Sequence, residues 1–391
     1  MLEIDVWMLI LLPALFAAGW FARGFESRVR EADAAGAPRS VFRGLNFLLN
    51  EQPDKAIDAF IDVVKLDPET IELHYALGNL FRRRGEFDRA IRIHTHLLNR
   101  ADLPARLQST ALAELGQDYL KGGMLDRAED AFARLLGDGE HRFAALRSLL
   151  HIYSIEREWL KAIDCARRLE REAAETHNVQ IAHFYCELAE SLMAKGRDDE
   201  AQAQLDEALT VYRKSVRATL LAGDIAAHRG DNALAVKQWL RVLDADTEYL
   251  PLVASRLTAA MDATGRRGEA LNLLRKSLQD TPSIDLLDVA FERVGAWESA
   301  PAAEALLRTE LKRNPSLLGF ERLLAARSNA AAGDSELEQL RALLATHTRR
   351  LARYRCGKCG FRAREFHWQC PGCSSWDSYP PRRVEELDAA G

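Results

Sequence analysis

The chain has 391 residues, of which 48% are hydrophobic and 28% are charged, and this composition excludes a wholly disordered protein. Six cysteines in a chain of this length exclude a small scaffold held together by disulfides. At roughly 150 residues per domain, the length predicts two or three domains. The net charge of −5 is unevenly distributed, because residues 349–383 carry nine Lys and Arg but only two Asp and Glu. A basic C-terminal segment on an acidic body indicates separate modules.

The N-terminal residues contain an apolar run typical of a membrane span. No charge occurs between Val6 and Ala22, and a helix of that length spans about 25 Å, near the short end of what crosses a hydrocarbon core. Acidic residues precede the run and arginines follow it, which disfavours a cleaved secretory signal and orients the rest of the chain toward the cytoplasm. We therefore predict a single retained transmembrane anchor over residues 1–23.

The body of the chain is periodic. An alanine recurs at spacings of 33 to 39 residues, often with a glycine five residues before it and a large apolar residue four after it. These alanines are Ala56, Ala90, Ala128, Ala162, Ala201, Ala235, Ala270 and, more weakly, Ala303. The pattern is typical of tetratricopeptide repeats, in which paired helices pack closely at small residues. We predict an all-α tetratricopeptide-repeat superhelix over residues 24–350, with seven clear repeats and a divergent cap.

Repeats of this kind stack into a superhelix with a groove that binds peptides or proteins and seldom catalyses a reaction. In the tetratricopeptide pattern, residues that flank the small-residue position of the first helix face the groove. Six polar residues are candidates for this partner-binding face: Tyr75, Asn79, Arg82, Arg83, Gln117 and Lys121. They fit either a basic pocket for an acidic peptide segment or an ordinary solvated helix face, and the sequence leaves both interpretations open.

The segment over residues 351–383, which we call the cysteine module, contains two Cys-x-x-Cys pairs. Cys356 and Cys359 form the first pair, and Cys370 and Cys373 form the second. Each pair can grip a metal ion with two thiolates, and the two pairs together close a tetrahedral site. Because so short a segment cannot build a sufficient apolar core, we expect the metal to hold its fold. We predict one Zn²⁺ in a rubredoxin-like zinc ribbon, followed by a tail over residues 384–391.

Alternative functions for the cysteine module are less well supported. A cytoplasmic location disfavours disulfides, and a thioredoxin-like site would require a βαβ context. Rubredoxin-type iron in an electron-transfer protein is the rival to zinc, and a red protein that bleaches on reduction would establish it. A basic ribbon can also bind nucleic acid, but the cysteine thiolates offset part of its positive charge. A membrane anchor also disfavours a role in nucleic-acid binding. We expect no nucleic-acid partner.

Other reactive residues indicate no catalytic site. The sequence contains no P-loop, GxGxxG, HExxH or GxSxG motif. Cys165 and Cys186 lie singly in repeat helices and are predicted to be packed core thiols. His94 and His96 are two residues apart on a helix, so they cannot share a face as a metal pair. We predict that the protein is not an enzyme.

The chain resembles the lipopolysaccharide assembly protein B family (LapB/YciM) of Gram-negative bacteria. It shares with that family the order of one predicted membrane span, tetratricopeptide repeats and a terminal four-cysteine ribbon. The segments GLNFLLNEQPDKAIDAF (44–60) and ALGNLFRRRGEFDRAIRIH (76–94) are similar to signature stretches of that family, as is CPGCSSWDSY (370–379). The resemblance covers essentially the whole chain. It implies that Cys356, Cys359, Cys370 and Cys373 fill the four metal positions of the family.

The resemblance also implies a function and partners. The family consists of inner-membrane adaptors, with the N-terminus in the periplasm and most of the chain in the cytoplasm, that limit lipopolysaccharide synthesis. They present the lipid A deacetylase LpxC to the membrane-bound protease FtsH for degradation. Further implied partners are the small inner-membrane lipopolysaccharide assembly protein A and a membrane-embedded lipopolysaccharide sensor. The alternative is a membrane-tethered scaffold for the synthetic enzymes that has no part in proteolysis.

Overall fold

The computed structural model describes residues 46–47, 52–66, 71–330 and 335–389, so the anchor predicted over residues 1–23 lies outside the described residues. No helix in the described part of the chain combines the length with the apolar composition that crossing a membrane requires. The chain divides by its internal contacts into two compact units, Met1–Ala174 and Glu175–Gly391. The cysteine module is part of the second unit.

The first unit consists of helices that pack on their neighbours in sequence, as tetratricopeptide repeats require. They are α1 (Pro53–Leu66), α2 (Ile71–Arg83), α3 (Phe87–Leu98), α4 (Ala105–Lys121), α5 (Leu125–Arg134), α6 (Arg142–Glu156) and α7 (Trp159–Ala173). A 3₁₀ turn over Leu135–Gly137 extends the end of α5. The first helices of the repeats in this unit are α2, α4 and α6, and each is followed by its second helix.

The second unit continues the same pattern and ends in the cysteine module. Its helices are α8 (Asn178–Met193), α9 (Asp198–Val211), α10 (Val216–His228), α11 (Asn232–Leu240), α12 (Val242–Ala245), α13 (Ala254–Ala263), α14 (Arg267–Asp280), α15 (Ile284–Trp297), α16 (Ala300–Arg313), α17 (Leu317–Ala330), α18 (Ser335–Thr348) and α19 (Val384–Ala389). A 3₁₀ segment over Thr247–Leu252 precedes α13. Strands β1 (Tyr354–Arg355) and β2 (Arg362–Ala363) pair antiparallel in the module, with Tyr354 opposite Ala363. The predicted all-α repeat architecture with a small C-terminal ribbon is confirmed.

The recurring glycine ends the first helix of a repeat with a left-handed residue. Gly85, Gly123, Gly196, Gly230 and Gly265 all have φ between 71° and 80°. A residue with a Cβ is disfavoured in this region, whereas glycine adopts it readily. The glycine spacing in the sequence therefore marks the turns between paired helices.

The recurring small residue allows the two helices of a repeat to approach each other. Gly78, Gly116 and Gly223 each lie twelve residues before a repeat alanine. A Cβ added at any of the three would come closer than 3.0 Å to a ring of the second helix, that of His94, Phe132 or Trp239 respectively. Only glycine leaves room for these rings, so the pattern in the sequence has a direct packing cause.

The second unit has a core that continues from one repeat to the next. One cluster of buried apolar residues extends from Val216 to Leu323, and the fully buried Trp239 is its largest side chain. Tyr249 and Trp368 are partly buried and pack against this cluster. Because Trp368 belongs to the cysteine module, the repeat core and the module are in direct contact.

Candidate metal centre and repeat faces

The structure brings the four predicted cysteine ligands together. The Sγ atoms of Cys356 and Cys373 are 3.9 Å apart, and those of Cys359 and Cys370 are 3.6 Å apart. All four sulfurs lie within 4.8 Å of one another. A tetrahedral ion with Zn–S bonds of about 2.3 Å requires sulfurs roughly 3.8 Å apart. Two of the sulfur pairs already have this spacing, so the arrangement fits a single tetrahedral tetrathiolate ion.

The two Cys-x-x-Cys knuckles are built alike, with equivalent residues fourteen positions apart. The backbone N–H of Lys358 donates to Cys356 Sγ over 3.4 Å, and that of Gly372 donates to Cys370 Sγ over 3.3 Å. Each second cysteine is followed by a left-handed residue, Gly360 with φ of 75° in one knuckle and Ser374 with φ of 55° in the other. The paired geometry presents two thiolates from each knuckle to one point.

The environment of Cys356 favours the thiolate form that binds metal. Burial opposes ionisation of this thiol, but hydrogen bonds from Ser378 and from the backbone N–H groups of Cys359 and Lys358 outweigh burial and lower its pKa to about 6. Arg355, one of the basic residues near the site, pairs with Asp388 over 2.8 Å. The apolar cluster buried inside the module is small and consists of Tyr354, Cys356, Cys370 and Tyr379.

Trp376 of the cysteine module packs on the first helices of two repeats. Its ring stacks on His183 of α8 with centroids 4.6 Å apart, and the guanidinium of Arg217 of α10 lies 5.8 Å from it. Phe184 contacts the same ring edge-on at 6.0 Å. The neighbouring Asp377 lies 2.8 Å from Nε2 of His183. The loop after the last cysteine is thus fixed to two successive repeats.

A second set of aromatic contacts joins the module to the next repeat. Tyr249 stacks on Trp368 with centroids 5.7 Å apart and nearly parallel rings. Phe366 meets both rings edge-on, at 6.1 Å from Tyr249 and 4.9 Å from Trp368. Burial and the nearby negative charge of Asp377 raise the pKa of Tyr249 far above its usual range, so its hydroxyl stays protonated.

Asp285, at the start of α15, binds the module through a hydrogen bond and an ion pair. The Tyr354 hydroxyl donates to Asp285 Oδ2 over 2.7 Å, and Arg383 donates to Asp285 Oδ1 from both Nε and Nη2, over 3.0 and 2.8 Å. The Arg383 guanidinium also lies 4.1 Å from the Tyr354 ring centroid. Arg382 pairs with Glu248 over 2.7 Å. These contacts give the interface a polar edge beside its aromatic centre.

The segment predicted as a tail over 384–391 contains helix α19, whose two glutamates cap repeat helices. Glu385 accepts hydrogen bonds from Ser316 Oγ and from the backbone N–H groups of Leu317 and Leu318 at the start of α17. Glu386 accepts from the backbone N–H of Ile284 at the start of α15 over 2.8 Å. Carboxylates at helix N-termini satisfy free N–H groups and complement the helix dipole.

The residues that hold the module share a position in the repeat. His183, Arg217 and Asp285 each lie eighteen residues before a repeat alanine, in three different repeats. We call His183, Arg217, Tyr249 and Asp285 the docking face. None of these four residues was predicted from the sequence, although the 34-residue period aligns three of them. The corresponding residues in the first unit are Glu72, Thr110 and Ala144, of which only Glu72 is charged.

Four of the six predicted groove residues, Tyr75, Asn79, Arg82 and Gln117, are hydrogen-bonded within the first unit. The Tyr75 hydroxyl donates to the carbonyl of Leu107 over 2.7 Å. Arg82 donates to Asp118 over 2.8 Å and to Glu114 over 2.6 Å, and it also donates to Asn79 Oδ1. The structure therefore uses these side chains to join consecutive repeats, and their role in partner binding stays a prediction.

Arg83 and Lys121 are more accessible than the other four predicted groove residues. Gln117 donates to Ser148 Oγ over 3.0 Å, whereas Arg83 and Lys121 are exposed and form no ion pair with any described residue. Burial lowers the pKa of His151, and the charge of Lys121 adds to that effect. Because charges interact in this way only at short range, Lys121 and His151 lie near each other on successive first helices.

The remaining reactive residues behave as the sequence predicted. Cys165 and Cys186 are buried, and burial raises the pKa of their thiols to about 11 and about 12 respectively. His94 is fully buried and lies 2.5 Å from Asp118 through Nδ1, whereas His96 stacks on His74. The two histidines therefore point to different surroundings and do not form a metal pair.

The family models agree with this architecture. A tetratricopeptide repeat model matches residues 43–94 and 186–251. A model described as a rubredoxin metal binding domain matches residues 354–380, which include all four clustered cysteines. Among solved structures, the TPR2AB-domain:pHSP90 complex of yeast Sti1 is 18% identical and covers 71% of this chain and 99% of its own, with a TM-score of 0.32.

Relatives with assigned names match over nearly the full length. Lipopolysaccharide assembly protein B of Escherichia coli (strain K12) is 36% identical over 380 residues, covering 96% of this chain and 98% of that protein. The protein of the same name from Haemophilus influenzae is 30% identical over 391 residues, covering 97% of this chain and 98% of its own. With the repeats and the four-cysteine ribbon in the same chain, these matches show that the chain belongs to the lipopolysaccharide assembly protein B family.

Proposed function

We propose that this protein is a non-catalytic adaptor that limits lipopolysaccharide synthesis by presenting the lipid A deacetylase LpxC to the protease FtsH. The similarity to lipopolysaccharide assembly protein B over 96% of the chain carries this proposal. Repeat helices with faces suited to binding other proteins support an adaptor role. Lipopolysaccharide assembly protein A and a membrane-embedded lipopolysaccharide sensor are proposed as further partners.

The proposed location is the bacterial inner membrane. The uncharged run between Val6 and Ala22, preceded by acidic residues and followed by arginines, supports a single anchor with a periplasmic N-terminus. Such an anchor would hold the repeats near membrane-bound partners and raise their effective concentration. Removal of residues 1–23 is expected to release the protein from the membrane fraction.

The proposed metal is one Zn²⁺ held by Cys356, Cys359, Cys370 and Cys373. The tetrahedral arrangement of the four sulfurs suits zinc and also suits iron in a rubredoxin-type site. In either case the ion would cross-link two knuckles that have few buried residues of their own. A colourless protein that contains one equivalent of zinc by elemental analysis would support the proposal. A red protein that bleaches on reduction would identify the metal as iron instead.

The exposed side chains of Arg83 and Lys121 support an acidic segment as the ligand of the first unit. Charge reversal at both positions, Arg83→Glu with Lys121→Glu, is expected to weaken binding to LpxC or FtsH in a pull-down with purified components. Arg134→Glu is the matched control, because Arg134 is also exposed but ends the second helix α5. Equal binding by the charge-reversal variant and the control would assign the partner to another surface.

The half-life of LpxC tests the proposed function directly. After depletion of this protein in its own host, translation is stopped and LpxC is followed by immunoblotting. A markedly longer half-life that returns to normal on re-expression supports the adaptor. An unchanged half-life would contradict the proteolytic role and leave a membrane-tethered scaffold for the synthetic enzymes.

A further inference from the structure

The cysteine module depends on other groups for its fold. Its buried cluster consists of Tyr354, Cys356, Cys370 and Tyr379, and two of these four residues are metal ligands. Strands β1 and β2 contribute only two residues each. A segment with so small an apolar core requires a metal, a partner surface or both to stay folded.

The residues of the module that contact the repeats are close in sequence to the ligands. Tyr354 is two residues before Cys356, Trp368 is two before Cys370, and Trp376 is three after Cys373. Backbone hydrogen bonds hold the loop that carries Trp368 and Trp376 against the second knuckle. Cys370 N–H donates to Ser375 O over 2.9 Å, and Asp377 N–H donates to Trp368 O over 3.0 Å. The fold that gathers the sulfurs is therefore also the fold that positions the three docking rings.

The repeat side of the interface is supplied by helices α8 and α10 of the repeats. His183 lies on α8 and is nearly fully buried, with Trp376 and Trp368 rings 4.6 and 5.9 Å from its own. Arg217 is held on α10 by Glu187 and Glu190, at 2.7 and 3.0 Å. Arg217 is thus held by carboxylates of the repeats, whereas His183 is held by Asp377 and Trp376 of the module.

We propose that metal binding by the four cysteines and packing of the cysteine module on the docking face form one coupled equilibrium. The docking face increases the metal affinity of a site to which it contributes no ligand, and loss of the metal uncovers the docking face. By linkage, the factor by which docking increases metal affinity equals the factor by which metal increases docking. His183 is the main positioning residue, and the inference rests on the proposed metal site.

The first arm of the test measures Zn²⁺ affinity in the full chain by competition with a chelator of known affinity. We expect His183→Ala to raise the dissociation constant for Zn²⁺ about tenfold, because it removes one charge-assisted hydrogen bond and one ring stack. The control is His228→Ala, since His228 is exposed and pairs with Asp198 away from the module. Tyr249→Leu is a second variant that weakens docking without touching His183.

The second arm measures the reverse direction by hydrogen exchange. Stripping the metal from the wild-type chain is expected to speed exchange within α8 and α15, with α4 of the first unit as an internal reference. Unchanged zinc affinity in both His183→Ala and Tyr249→Leu, or unchanged exchange in α8 after metal removal, would overturn the coupling. Neither readout involves LpxC, so failure of the coupling and failure of the adaptor role are distinguishable.

Discussion

His94 and Asp118 form a polar pair in a place where the adjacent repeats are apolar. His94 stands four residues after Ala90, where Phe132 and Trp239 stand in their own repeats. Asp118 is fully buried, lies 2.5 Å from His94 Nδ1 and accepts a hydrogen bond from Arg82 over 2.8 Å. A single buried carboxylate thus binds residues from both helices of the preceding repeat.

We predict that Asp118→Ala destabilises the first unit by about 3 kcal/mol, because it removes the carboxylate partner of the buried His94 and one of the two carboxylate partners of Arg82. The double variant His94→Phe with Asp118→Ile should restore most of that loss, since the fully buried Phe132 and Ile152 occupy the equivalent repeat positions. Urea unfolding followed by far-UV circular dichroism measures both effects. Equal destabilisation of the single and double variants would contradict this account.

Arg157 stands where five other repeats have a left-handed glycine. It lies five residues before Ala162 and has φ of 59° and ψ of 28°. A residue with a side chain loses roughly 1–2 kcal/mol of stability in this region. Replacement by glycine removes that strain, but part of the stabilisation is lost because glycine has more conformational freedom in the unfolded chain. We predict that Arg157→Gly stabilises the protein by about 0.5–1 kcal/mol.

The midpoint of thermal unfolding measures this gain, with Gly85→Arg as the reverse substitution. Gly85 has φ of 79° at the equivalent position, so the two variants should shift the midpoint in opposite directions. A lower midpoint for Arg157→Gly would show that contacts of the arginine outweigh the backbone strain.

At the scale of elements, Asp138 organises the connection between α5 and α6. Its carboxylate accepts a hydrogen bond from the Glu140 backbone N–H over 3.0 Å and lies 3.1 Å from His141 Nδ1. A hydrogen bond from the Ser109 side chain, and then the one from Glu140, lower the pKa of Asp138 from 3.8 to about 2. The unfolded chain therefore binds a proton at this residue at a higher pH than the folded chain does.

The stabilisation by Asp138 is accordingly complete above pH 4 and is lost as the pH falls toward 2. We predict that Asp138→Asn has a lower urea midpoint than the wild type at neutral pH and that the difference shrinks between pH 4 and 2. Asp130→Asn, at an exposed position on α5, is the control. A difference that is independent of pH would indicate a structural effect of the amide.

The paired helices were predictable from the sequence because each repeat has its own local signal. Gly85 and Gly123 mark turns by their backbone conformation, and Gly78 and Gly116 mark close packing. The cysteine spacing likewise predicted the cluster of sulfurs. The docking face was not predicted, because His183 meets Asp377 only through the tertiary fold, 194 residues along the chain. For the same reason, the bonding of Arg82 to Asp118 could not be separated from a solvated helix face.

At the scale of the whole molecule, we expect the metal site to be required for function. We predict that Cys356→Ser with Cys373→Ser abolishes the in-cell effect on LpxC half-life while the far-UV circular dichroism of the repeats stays helical. The physical reason is that removal of two thiolates leaves a module with almost no core of its own. Cys165→Ala, which changes a buried repeat thiol, is the control and should keep its metal content and function.

Retained activity of the double cysteine variant, at normal protein levels, would show that the cysteine module is dispensable. Loss of helical signal in that variant would show instead that the repeats require the module in order to fold. The two measurements together separate these outcomes.

The position of the docking face in the chain has a consequence for synthesis on the ribosome. Its residues all lie between 183 and 285, whereas the segment that covers them ends at Ala389. At about 5–20 residues per second, a ribosome takes roughly 5–20 s to translate the intervening chain. During that interval the nascent repeats display uncovered Tyr249 and His183 rings to chaperones and to other nascent chains. A stop codon or stalled ribosome before Cys370 would make that exposure permanent.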